Sequence, residues 1–133
     1  MKTFSLYLFF GLFLFGGCTD KDDEAENNLK GTWSLIRLSG TISGIENNYP
    51  TGAITWTFND SNVTVINNDN EHEYDAFESG YYPYTLHHVE VGNDCTETIS
   101  INEIDMGCYY FNSNELYINQ LANDGVALKL VKL

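Results

Sequence analysis

The sequence predicts an all-β domain, a small antiparallel up-and-down barrel of about eight short strands. From Leu29 onward, apolar and polar residues alternate with a period of two. The separators between the alternating runs are short and made of turn formers, as in "GND", "NSN" and "NDG". No convincing amphipathic helix interrupts this pattern. "GTWSLIRLSG" supplies the first strand, over residues 32–39. "AITWTFNDSNVTVIN" is the clearest hairpin: Ile54, Trp56 and Phe58 share one face, Thr55 and Thr57 the other, and "NDSN" turns the chain before Val63 and Val65 resume. "YYPYTLHHVEV", "TETISINEI", "GCYYFN", "ELYIN" and "VALKLVKL" complete the set. Pro83 cannot donate to a ladder, so it is expected at a bulge or near the start of its strand. Successive short connections favour a meander that closes on itself over a sandwich of two sheets.

The chain begins differently. Lys2 precedes an apolar run over residues 4–15, followed by Gly16, Gly17 and Cys18. This is the plan of a secretory signal. The run falls short of the about 20 apolar residues that a membrane span needs. "LFGGC" resembles the lipobox of bacterial lipoproteins, although Phe15 stands where a smaller aliphatic residue is usual. The resemblance implies cleavage before Cys18, a diacylglycerol on its thiol and an acyl chain such as palmitate on the new amine. Each buried CH₂ contributes about 0.8 kcal/mol, and two chains anchor stably. "TDKDDEAENN" then follows with no apolar periodicity. It resembles the acidic export signal of surface lipoproteins in some gram-negative bacteria, which implies an outer-membrane lipoprotein exposed at the cell surface. The organisation expected is a leader over 1–17, a lipidated cysteine and acidic linker over 18–28, and a barrel domain over 29–133.

The formal net charge is −13 at pH 7, and removal of the leader takes away one further cation, Lys2. Nucleic acid and anionic headgroups would be repelled; a basic protein partner or a divalent cation is compatible. Cys95 and Cys108 are the cysteines left in the domain. Export makes a disulfide possible. A simple hairpin turning near Glu103 would set Cys108 opposite Ile99, away from Cys95, so only a shifted register or a bulge brings the two together. Both states, bridged and free, stay open.

"LKGTWSLIRLSG", "YPTGAITWTFN" and "ALKLVKL" together resemble the small lipocalin-like domain of exported bacterial lipoproteins, over most of the chain from Leu29. That resemblance implies a calycin-type barrel in which Trp33 closes one end and a cation of the last strand, Lys132, lies over it. It also implies that the long connection between Gly40 and Gly52 covers the open mouth, with Ile45 and Tyr49 as lid or local packing. A barrel of this size is either filled by its side chains or holds one small ligand. The inward positions are bulky, and Tyr49, Trp56, Tyr82, Tyr84, His88 and Tyr110 are the candidates to contact a small apolar ligand.

The acidic stretch "NNDNEHEYDAFESG" invites a calcium reading through Asp69, Glu71, Glu73, Asp75 and Glu78. An EF-hand loop needs Gly at its sixth position, where this chain has His72. The stretch therefore reads as a solvated loop, and no metal or cofactor is expected. His87 and His88 are neighbours on a strand and point to opposite faces. Without a phosphate loop, a zinc-protease spacing or a local nucleophile signature, a binding module is expected in preference to an enzyme.

Overall fold

The computed structural model describes residues 28–40, 44–89, 94–120 and 124–133. The leader, Cys18 and all of the acidic linker except Asn28 lie outside the described residues. Among the described residues, nine strands form one antiparallel sheet: β1 (Gly31–Gly40), β2 (Glu46–Asn48), β3 (Ile54–Phe58), β4 (Asn62–Asn67), β5 (Gly80–His88), β6 (Glu97–Ile101), β7 (Ile104–Asn112), β8 (Glu115–Asn119) and β9 (Val126–Lys132). β3 to β9 follow as a meander, and β9 pairs back onto β1 to close an eight-stranded barrel. The fold fits a small calycin-like barrel. The alternation that signals the strands is also what fills it, since Ile54, Trp56 and Phe58 are buried while Thr55 and Thr57 are not.

The ninth strand, β2, lies in the connection expected to cover the open mouth. β3 pairs with β1 only through Gly31, Thr32, Trp33 and Ser34, which leaves the rest of that edge open. β2 covers it by pairing with Arg37, Leu38 and Ser39. Pro83 sits within β5, where the strand passes from its last β4 partner, Asn62, to its first β6 partner at Tyr84.

β6 and β7 turn through Asn102 and Glu103, whose φ values of 52° and 65° suit the two-residue turn that matches strand twist. The register then slips: Ser100 faces Asp105, but Thr98 faces Cys108. One extra residue is accommodated on β7 in the Met106–Gly107 region. Gly107 has φ 80°, and a Cβ there would lie 2.2 Å from the Asn119 carbonyl oxygen, so only glycine fits. The bulge reverses the facing of everything after it. Tyr109 is buried and Phe111 packs on the core, whereas Tyr110, expected inward, points out and is 52% exposed. Cys108 is set opposite Thr98 instead of Ile99, and it is bridged to Cys95 with Cα atoms 5.8 Å apart.

Among the described residues, large apolar side chains pack the interior. Leu35, Leu38, Ile54, Trp56, Ile99 and Leu130 are 0% exposed, so none of them borders a space that would admit water.

Candidate functional site

The two ends of the barrel differ. At the closed end, Trp33 donates its indole N–H to the Leu29 carbonyl at 2.7 Å. The Lys132 ammonium lies 4.7 Å from the Trp33 ring centroid and donates to the Lys30 carbonyl at 2.7 Å. Gly31, at φ +119°, leaves the space that the Lys132 side chain occupies. The cation of the last strand thus lies over the indole of the first. Tyr84 also belongs towards this end, buried against Phe58 and donating to the carbonyl of Asn59.

The opposite end is built by the connection from β1 to β3 and by residues 68–79 between β4 and β5. Most of this second segment is exposed, as its composition suggests, but Asp69, His72, Asp75, Ala76 and Phe77 are half-buried. Phe77 folds in over the barrel, 5.5 Å from the ring of Trp56 and 5.1 Å from that of Tyr82. Tyr49 is buried and reaches across to the same segment, donating to Asp75 Oδ1 at 3.0 Å. Asn67, at the end of β4, donates its side-chain N–H to Asp75 Oδ2 at 2.9 Å. His72 binds Asp69 twice, with its backbone N–H and its Nδ1 each 2.9 Å from Oδ2. The His72 ring lies edge-on to Tyr49, with centroids 4.9 Å apart. Burial pushes the Tyr49 phenol well above its ordinary value, and the facing Asp75 carboxylate adds to this. Burial also pushes the Asp69 carboxyl up, but the hydrogen bonds from His72 outweigh it and leave the group below its ordinary value.

Two open clefts flank this cluster. One, of about 490 Å³, is walled by the segment itself, from Asn67 and Asp69 to Ser79. The other, of about 420 Å³, is lined by Ile45, Asn47, Glu73 and Tyr74. Carboxylates, an imidazole and a phenol therefore converge beside an apolar wall.

Of the residues expected to meet a ligand, Tyr49, Trp56 and Tyr82 come together at this end, the last two through Phe77. His88 does not join them: it is exposed at the end of β5, with Nδ1 2.8 Å from Glu97 Oε1. Tyr110 stacks outside the barrel on Tyr117. Asp69, His72 and Asp75 were visible only as an acidic run, and Phe77 carried no distinguishing pattern. The even spacing of Asp69, His72 and Asp75 was the available signal, but outside a regular element spacing does not fix direction.

No protein-family model, curated protein or solved structure matches the chain.

Proposed function

We propose that this protein is an outer-membrane lipoprotein, held by a lipid on Cys18 and displayed at the cell surface, whose barrel is a non-catalytic module binding a small, largely apolar ligand at its open end. The lipobox-like "LFGGC" and the acidic "TDKDDEAENN" support the address. One contrast carries the ligand reading. Trp56 and Ile54 are 0% exposed inside the barrel, whereas Ile45 and Tyr74 form an apolar wall in an open cleft whose polar margin is Asn47 and Glu73. An apolar body against Ile45 and Tyr74, with a polar group at the margin, is the arrangement ligand sites use.

A neutral hydrophobic fluorophore such as N-phenylnaphthylamine tests this. Saturable binding to the full chain is expected, weakened about tenfold by Ile45→Ala or Tyr74→Ala, the order of one lost apolar contact. No saturable binding, or binding indifferent to both substitutions, overturns the ligand reading. Mass spectrometry of the mature amino terminus tests the address; an unacylated Cys18 overturns it.

A specific observation favours a protein partner as the second reading. Tyr110, Tyr117, Lys129 and Arg37 face one another in direct register across β7, β8, β9 and β1. Tyr and Arg are the residues enriched at the centres of interfaces, and the acidic excess elsewhere suits a basic partner. Retrieval from envelope extract that Tyr110→Ala abolishes would favour this reading.

A further inference from the structure

We propose that Asp69, His72 and Asp75 form a binding site for a first-row divalent cation, with Zn²⁺ the best-fitting ion, an inference that rests on reading the open end as the binding face and gives that face an inorganic ligand. Each of the three residues offers one ligand atom, and these atoms all lie within 4.8 Å of one another. Zinc bonds of about 2.0–2.2 Å place tetrahedral donors roughly 3.3–3.6 Å apart. The Asp69 and His72 donors are 2.9 Å apart and the whole set lies within 4.8 Å, so enclosing an ion requires the first pair to open by about 0.5 Å and the third donor to close in by up to about 1 Å.

The donor set selects the metal. One imidazole and two carboxylates suit zinc or manganese, whereas calcium and magnesium prefer oxygen alone. Three protein ligands leave the remaining position to water or to a ligand in the adjoining cleft. The site is also braced from outside itself. Asp75 is held by the Tyr49 hydroxyl and the Asn67 amide, which come from separate parts of the chain. Hydrogen bonds of this kind orient ligating carboxylates and are part of how metal sites are built.

The Asp69 side chain is only 5% exposed, and the group that faces it is the His72 imidazole, itself a metal ligand; a buried carboxylate is costly unless a cation faces it. Among the described residues, no Lys or Arg forms an ion pair with Asp69 or Asp75. The hydrogen bond between His72 Nδ1 and Asp69 occupies the place of the ion. When the cation binds, that bond is given up: Nδ1 coordinates, the ring keeps a single proton on Nε2, and any second proton passes to solvent. The ion then ties the start and end of the segment together across the mouth.

Calorimetric titration of Zn²⁺ into the untagged, chelator-treated full chain tests the proposal. One ion per chain is expected. Tyr49→Phe should weaken binding by about 10–100-fold, as loss of an outer hydrogen bond does, and His72→Ala or Asp75→Asn by more. His88→Ala, remote from the site, should leave it unchanged. Near-UV circular dichroism confirms that each variant is folded, and His72→Gln replaces His72→Ala if that variant is not. No saturable zinc binding, or binding that survives loss of His72, overturns the site. Failure here with fluorophore binding intact removes the metal alone; zinc binding without fluorophore binding removes the apolar ligand alone.

Discussion

The Lys132 ammonium sits 4.7 Å from the centroid of the Trp33 ring, joining the last strand to the first at the end of the barrel where the chain enters. Trp33 is buried while Lys132 is exposed, and the same ammonium also donates to the Lys30 carbonyl. A cation over an indole contributes about 0.5–2 kcal/mol. Lys132→Met should therefore lower the stability by about 1–2 kcal/mol in urea unfolding, while Lys132→Arg keeps the charge over the ring and should stay within about 0.5 kcal/mol of the parent. Equal losses in both variants would show that the ring contact contributes little.

Gly107 decides which tyrosine enters the barrel. Any side chain there meets the Asn119 carbonyl and an unfavourable φ. Gly107→Ala should cost more than about 3 kcal/mol. The facing it imposes is checked separately: Tyr109→Ala should destabilise by about 3 kcal/mol or more, whereas Tyr110→Ala should cost less than about 1 kcal/mol, because it removes only an outside stacking partner of Tyr117. The reverse order would place the bulge elsewhere.

The bridge between Cys95 and Cys108 closes a loop with a sequence separation of 13. A loop of that size contributes about 3 kcal/mol through the unfolded chain. The double variant Cys95→Ser with Cys108→Ser should lose about that much stability in denaturant unfolding. Its near-UV circular dichroism should stay that of the parent, since Gly107 holds the register without the bridge. A changed aromatic spectrum would mean that the disulfide, not the glycine, sets the bulge.

On the outer wall, Glu115 accepts from the Lys129 ammonium at 2.8 Å and from the Tyr117 hydroxyl at 2.5 Å. The hydrogen bond from Lys129, then that from Tyr117, holds the carboxyl below its ordinary 4.5. A carboxyl whose pKa is depressed by folding stabilises above its unfolded value and loses that contribution as pH falls through its folded value. The stability difference between the parent and Glu115→Gln should therefore be present at pH 7 and shrink to nothing on acidification below 4.5. Because both side chains are about one-third open to solvent, 0.5 M salt should reduce it as well. A difference independent of pH would assign the effect to packing.

Much of the fold was legible because it is local. A period of two places Ile54, Trp56 and Phe58 on one face without reference to the rest of the molecule, and the Asn- and Gly-rich separators turn the chain for reasons of their own φ preferences. The order of the eight barrel strands as a meander follows from these. The candidate site was far less legible. Trp56 and Tyr82 are drawn together by Phe77, and Tyr49 meets Asp75 from 26 residues away; neither meeting has a periodic signature.

By itself, then, the sequence determined an all-β barrel, its strands and the core face of most of them, since alternation and turn chemistry act between near neighbours. Only the tertiary structure decided that Tyr109 rather than Tyr110 faces in, that the two cysteines meet, that a ninth strand covers the edge of β1, and that an acidic run folds around a histidine at the mouth. Two physical reasons cover these: one extra residue in a ladder reverses every side chain beyond it, and the edge of β1 and the loop carboxylates find partners that no periodic pattern marks.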